Sequence, residues 1–504
     1  MKIINRNKFS YKGKIGSDDK ARDSKSLAVM LQEYGEEGHV PFHMPGHKRV
    51  AYNHLSGVAG LDITEIEGFD NLNNAKGVLL EAQKKTAMFF GANESRFLTC
   101  GTTVGMLAAI RTLSHSGDEV LIARNCHKCV YNAVEICGLH PYYVTPSYFE
   151  EYGFYGSVMP ADVDKALKEH PNISLVVITS PTYEGIISDI RAIAVICRAN
   201  GAKLIVDEAH GSHLGLSKKF AQSARTLGAD IVLNSFHKTL PSLTQTAVLH
   251  VCSNRVDMER LDKNLSIFQT SSPSYVLMAS LEGCVKYLQG DGAQVIDQWA
   301  DLIDKYRRSA SKLKHIKLFD GENEGGRVYA YDKSKLVFLT VDSALSGLEL
   351  ARALRNKFKL ELEMASANYA LAMTGPGDSL TSYLALSEAI YSIDGSVRER
   401  NGLVKINVSA VPNKAYEPCE IDLLKTEFVD LEKSLGRVIA ENVWAYPPGS
   451  PLICKGEVVD AEFVRYALCL YEYGVNVESE HKHFPDNVLV VDKCENTEGE
   501  EDKA

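Results

Sequence analysis

At 504 residues and ~150 residues per domain, the chain has room for about three domains, fewer where one α/β unit grows large, and a mini-protein held by disulfides is excluded. Hydrophobic residues make up 45% and charged residues 24%, which permits a large buried core and excludes global disorder. Lys and Arg total 55 against 65 Asp and Glu, a net charge of −10 that argues against nonspecific nucleic-acid or anionic-membrane binding.

Residues 1–16 carry Lys2, Arg6, Lys8, Lys12 and Lys14 but no apolar run of signal-peptide length. No segment approaches the ~18 to 20 uninterrupted apolar residues of a membrane span. The eleven cysteines are odd in number and scattered, which reads as free thiols in a reducing cytoplasm. Only Cys126 and Cys129 stand at C-x-x-C spacing. A structural zinc site needs a second ligand pair, and none has matching spacing, so no metal is expected.

From residue 96 to residue 250, short β-branched runs alternate with amphipathic stretches. Strands are predicted at 97–99, 119–122, 142–144, 175–179, 204–206, 231–233 and 247–250, and helices at 104–113, 129–137, 161–169 and 190–199. Such alternation implies a mainly parallel sheet covered on both faces, with ligands where strands end and helices begin. Beyond residue 280 the pattern becomes α+β: a polar helix at 294–314, a strand at 335–341 and a helix at 346–357. Tyr446-Pro447-Pro448-Gly449-Ser450-Pro451 reads as a rigid turn, because each proline fixes its own φ and restricts its predecessor. Residues 495–504 hold five acids and one base, −4 of the total charge, and read as a frayed acidic tail.

The densest chemistry lies in Val206-Asp207-Glu208-Ala209-His210-Gly211 and, after the next apolar run, Asn234-Ser235-Phe236-His237-Lys238-Thr239. Asp-Glu-Ala-His also occurs as the acidic box of nucleic-acid helicases. That ATPase requires an upstream G-x-x-x-x-G-K-[ST] loop, which this sequence lacks. The other reading is a pyridoxal phosphate site. This cofactor needs a lysine for its aldehyde, a carboxylate for its pyridine nitrogen and neutral donors for its phosphate. Lys238 and Asp207 supply the first two. Gly101-Thr102-Thr103, between a strand and a helix, offers unpaired amides and hydroxyls, and Ser235 and His237 stand beside the lysine. Taken singly, each has a plain reading: a solvated lysine, a Thr N-cap, a hydrogen-bonded structural histidine. Their co-occurrence in strand order carries the cofactor reading.

At these residues the sequence closely resembles the fold-type I pyridoxal-phosphate decarboxylases of ornithine, lysine and arginine. The resemblance runs through Pro41-Phe42-His43-Met44-Pro45-Gly46-His47-Lys48, Asp62-Ile63-Thr64-Glu65, Ala123-Arg124-Asn125-Cys126-His127-Lys128, Ser180-Pro181-Thr182-Tyr183, the two clusters above, Ser271-Ser272-Pro273-Ser274 and the Tyr446 turn. It implies a PLP-dependent transferase-like α/β fold (the aspartate aminotransferase fold) with a smaller α+β C-terminal domain. Expected divisions are an N-terminal segment 1–62, a cofactor-binding domain 63–308, a small domain 309–400 and a C-terminal domain 401–504.

Carried over by resemblance, Lys238 is the Schiff-base lysine and Asp207 the partner of the pyridine nitrogen. His127 stacks on the cofactor ring, and His210 joins these as a catalytic and cofactor-contacting residue. Thr102, Thr103, Ser235 and His237 match phosphate-binding positions. Ser271 matches one that reaches the phosphate of a neighbouring subunit, which implies a homodimer or larger homo-oligomer with its active site at the interface. The substrate expected is a small basic amino acid, arginine before lysine or ornithine, with no nucleic-acid or membrane partner. Asn73 and Cys419 stand where the family pattern has other residues. Glu184, Asp378 and Glu420 are candidates to accept the cationic side chain. An aminotransferase and a noncatalytic regulator of the same fold are the competing readings.

Overall fold

The computed structural model describes residues 25–37, 43–45, 47–49, 57–322, 324–399, 411–445 and 449–492. The expectations for residues 1–16, for Tyr446–Pro448 at the proline turn and for the acidic tail lie outside these residues.

The seven strands predicted between residues 96 and 250 form one sheet: β1 (Glu94–Leu98), β2 (Glu119–Ala123), β3 (His140–Val144), β4 (Leu175–Thr179), β5 (Lys203–Asp207), β6 (Ile231–Asn234) and β7 (Ala247–Val251), in spatial order β1-β7-β6-β5-β4-β2-β3. From β6 across to β3 every pairing is parallel, and β7 runs antiparallel to both β6 and β1. The central strands read as near-continuous apolar runs because helices cover both faces, so both sets of alternating side chains are buried. β1 begins earlier than its apolar run implies. Its polar entry is satisfied on the spot, with Ser95 bonded to His250 Nδ1 at 2.8 Å and Arg96 paired with Asp262 at 2.7 Å.

Gly105, in the helix Gly101–Leu113, lies so close to the sheet that a Cβ would meet Leu98 Cδ1 at 2.5 Å and Leu233 Cδ2 at 2.7 Å. That close approach seats the helix, and its N-terminus, firmly at the end of β1.

A second, antiparallel sheet contains β8 (Lys317–Leu318), β9 (Lys335–Leu339), β10 (Met364–Ala365) and β11 (Tyr369–Met373), in order β8-β9-β11-β10. The helix Ala293–Ala310 leads into it. It stops short of its predicted end because the Asp394 carboxylate accepts the amides of Lys314, His315 and Ile316, each at 2.8 Å. The helix predicted from 346 begins with a capping box of Ser346 and Glu349, then widens into a π-helical turn at Leu354–Phe358.

Residues 411–445 and 449–492 build a third apolar core around Ile439, Val443, Ile453, Phe463 and Val488. A bidentate bridge ties it to the main sheet: Arg124 Nη1 and Nη2 donate to Glu457 at 2.7 and 2.8 Å, with both residues buried. Lys455 adds a bond to Glu135 at 2.8 Å. No helix among the described residues is long and apolar enough to cross a membrane.

Candidate active site

A cavity of about 570 Å³ opens where the parallel strands end. Thr102 and Thr103, in the first turn of the helix after β1, line it together with His127, Asp207, His210, Ser235, His237 and Lys238. Each comes from a strand end. His127 caps the helix Lys128–Cys137 after β2, Asp207 is the last residue of β5, and Lys238 sits in the one-turn helix Phe236–Thr239 after β6. Ser271 is not brought to this cavity. It is exposed in the loop between the helices Met258–Phe268 and Tyr275–Tyr287.

The helix Gly101–Leu113 begins at Gly101, whose φ of +75° is open to glycine without strain. Thr102 and Thr103 therefore sit within the first turn, where amides lack intrahelical acceptors. The Thr102 and Ser235 hydroxyls stand 3.2 Å apart, so β1 and β6 deliver oxygen donors to the same corner. His237 turns Nδ1 toward the Thr246 carbonyl at 2.9 Å.

Lys238 Nζ lies 2.9 Å from His210 Nε2. Burial pushes the Lys238 amine below its ordinary pKa, with the Asp207 charge pulling the other way. His210 is held well below the ordinary histidine range by burial and by the Lys238 charge, so its ring is neutral, and its Nε2 shares a hydrogen bond with Lys238 Nζ. His127 is half-buried, and desolvation with the Lys238 and Lys128 charges brings it down to about 4. Its Nδ1 accepts the Cys129 amide at 3.3 Å, as a neutral ring does. Burial pushes the Asp207 carboxyl above the usual carboxylate range, offset by the Lys238 charge and by the Ala209 amide at 3.1 Å.

Part of the site escaped the sequence reading. Lys335 is fully buried, and its Nζ donates to the His210 carbonyl, to Asp332 Oδ2 and to Ser334, at 3.1, 3.1 and 3.3 Å. Asp332 Oδ1 in turn holds His213 Nε2 at 3.1 Å. The Tyr183 ring stacks at a tilt on His210, centroids 4.3 Å apart, and its hydroxyl donates to Glu363. Leu452, Tyr466 and Leu470 bring the third core to the cavity wall. Of the three side-chain acceptors considered, Glu184 lines the cavity, whereas Asp378 caps the Gly375 amide and Glu420 closes a capping box with Glu417. Asn73 donates to the Thr270 carbonyl at 3.2 Å, away from the cavity.

These residues fit pyridoxal phosphate. The site offers an amine of depressed pKa and a buried carboxylate suited to a protonated ring nitrogen. Hydroxyls at a helix N-terminus suit a phosphate, and His210 Nδ1 and Asn125 Oδ1 are buried with no hydrogen-bond partner among the described residues.

Comparison with known proteins agrees. Residues 26–325 match the major domain of Orn/Lys/Arg decarboxylases, and residues 401–485 match the C-terminal domain of the same family. The arginine decarboxylase of Bacillus subtilis is 30% identical over 463 residues, covering 90% of this chain and 94% of that enzyme. The fold is that of the Francisella novicida lysine decarboxylase, with a TM-score of 0.79 at 18% identity, over 92% of this chain and 81% of the other. The Sphingomonas wittichii serine palmitoyltransferase shares it more distantly, with a TM-score of 0.52 at 15% identity, over 65% and 80% of the two chains. With a family model spanning most of its length and a lysine, a carboxylate and a hydroxyl corner at the strand ends, the chain belongs to the Orn/Lys/Arg decarboxylase family, whose cofactor is pyridoxal phosphate.

Proposed function

We propose that this enzyme decarboxylates arginine to agmatine, with lysine and ornithine as the nearest alternative substrates. The observation that carries the reading is the convergence of Lys238, Asp207 and His210 on one cavity, beside the hydroxyls of Thr102 and Ser235. The arginine-decarboxylase relatives, aligned over nearly the whole chain, favour arginine within the class. Pyridoxal phosphate, when bound, supplies the electron sink that makes loss of carbon dioxide from an amino acid feasible.

In this reading Lys238 Nζ holds the cofactor aldehyde. Its depressed pKa favours the neutral amine, the form that attacks a carbonyl. Asp207, buried at the end of β5, stabilises a positive charge on the ring nitrogen. His127 gives a neutral face on which the ring stacks, and neutrality avoids repulsion with that positive charge. Thr102, Thr103, Ser235 and His237 hold the phosphate at the helix N-terminus. Once carbon dioxide has left, Lys238 Nζ, held 2.9 Å from His210 Nε2, would be the group that returns a proton to the substrate Cα. Ser271 serves the phosphate of a neighbouring subunit, the active site forms at a homodimer interface, and the enzyme works in the cytoplasm.

The test is direct. Purified protein with added cofactor is incubated with arginine, lysine or ornithine and no keto acid, and carbon dioxide and amine are measured. Agmatine formed at the highest turnover supports the reading. Gas from none of the three overturns it, and product that forms only when a keto acid is supplied points to transamination.

A further inference from the structure

We infer that Glu184 is the residue that reads the distal positive charge of the substrate side chain. The inference rests on the decarboxylase reading above and gives it a specificity determinant. Glu184 lies in the turn after Ser180-Pro181-Thr182-Tyr183, is 6% exposed and lines the same cavity as Lys238. Its Oε1 accepts the Tyr369 hydroxyl at 2.8 Å. The Thr182 hydroxyl and its own amide are its other hydrogen-bond partners.

Four buried carboxylates elsewhere in the molecule lie beside a cation. Glu208 lies against Arg225, Asp230 against Arg255, Asp332 against Lys335 and Glu457 against Arg124. In these four each buried charge meets an opposite one, which offsets the cost of desolvation, whereas the buried Asp394 carboxylate is held by three backbone amides. Glu184 is buried to a similar degree, but its named partners are all neutral, and it faces a cavity built to admit a small molecule. Burial accordingly pushes its carboxyl above the usual range.

A guanidinium or ammonium arriving in that cavity supplies the missing countercharge. The same wall carries Tyr148, Tyr155, Tyr369 and Tyr466, whose rings cover an aliphatic stem and favour a cation over their faces. A substrate with a neutral tip would leave the carboxylate without a countercharge, the asymmetry from which strong discrimination arises. Asp378 and Glu420 are engaged in backbone caps outside the cavity and do not compete.

The test compares arginine with citrulline, its uncharged isostere, on the holoenzyme. Wild type is expected to prefer arginine strongly in kcat/KM. Glu184→Gln should reduce that preference at least ~10-fold, mainly through KM for arginine, with the visible band of the bound cofactor unchanged. Equal losses on both substrates, or an unchanged ratio, overturns the assignment. Should Glu184→Gln not fold, Glu184→Asp decides. It keeps the charge but withdraws it by one methylene, so the margin in kcat/KM of arginine over the shorter lysine and ornithine should widen, and an unchanged margin overturns the proposal. If wild type releases no carbon dioxide, the decarboxylase reading falls by itself. Calorimetric affinities for arginine and citrulline then judge Glu184: a wild-type preference lost in Glu184→Gln upholds it, and equal affinities overturn it.

Discussion

Two lysines meet at His210, Lys335 fully buried and Lys238 half-buried, and the molecule treats them in opposite ways. Lys335 donates to the His210 carbonyl, while its charge is cancelled by Asp332 at 3.1 Å, with neither side chain exposed. Lys238 approaches the same histidine from the ring side, at Nε2, and the acid that acts on it most, Asp207, does so through its field. The Asp332 carboxyl accordingly lies far below its ordinary range: burial opposes this, but the Lys335 charge and the His213 bond prevail. The Lys238 amine is instead pushed down by burial. A carboxylate in direct contact fixes a lysine as a structural cation, whereas a carboxylate held at a distance leaves it reactive.

The sharpest way to break the contrast is to remove the reactive member. Lys238→Ala should lower kcat by about 10⁴-fold or more, because nucleophile and proton carrier are lost together. The thermal melt should stay near that of wild type, since no buried ion pair is broken. The borohydride-sensitive absorption band of the cofactor should vanish with the activity. A variant that keeps both would remove Lys238 from the chemistry. Asp207→Asn comes next, with a loss of about 10³-fold in kcat, because an amide cannot hold the ring nitrogen protonated. Cofactor affinity measured on the same protein separates lost chemistry from lost binding.

The structural pair should answer in stability. Asp332→Asn leaves Lys335 charged and buried without its partner, and a loss of ~3–5 kcal/mol is expected, measured by denaturant unfolding. Adding Lys335→Met should recover much of that loss, since an apolar side chain of similar length replaces the stranded ammonium. Strict additivity of the two losses would mean that the pair does not act as a unit. Activity provides the cross-check. Lys335→Met removes the donor to the His210 carbonyl but leaves the reactive amine in place, so turnover should fall by far less than in Lys238→Ala.

The contrast also explains what the sequence could and could not reveal. Lys238 and Asp207 were legible because parallel strands end on one edge, so a residue following a strand is already placed in the crevice. The main sheet was legible for a related reason: strands buried on both faces must be apolar throughout. Lys335 was not legible. It opens the apolar run Lys335-Leu336-Val337-Phe338-Leu339 and reads as an ordinary strand entry, since its burial depends on a carbonyl 125 residues away. The wall formed by Leu452, Tyr466 and Leu470 was hidden because apolar residues facing a cavity pattern like those facing a core. Ser271 was read from resemblance as serving a second subunit, and its exposed position away from this chain's cavity is compatible with that role.

The smallest expected effect lies in the pH dependence of stability, and it tests whether the influence of Lys238 extends to His127. Burial, then the Lys238 and Lys128 charges, bring His127 from an ordinary 6.5 down to about 4. In the window between those values the unfolded chain binds a proton that the folded chain refuses. Stability from this group is therefore complete above pH 6.5 and lost as the pH falls toward 4, by up to ~1.4 kcal/mol per pH unit. His127→Asn keeps an acceptor suited to capping the helix Lys128–Cys137 but does not titrate, so its melting temperature should fall less steeply than that of wild type across the window. Parallel curves would mean that His127 is not depressed. In a Lys238→Ala background one of the two opposing charges is gone and His127 should titrate nearer its ordinary value. The gap that His127→Asn opens between the two melting curves should then shrink.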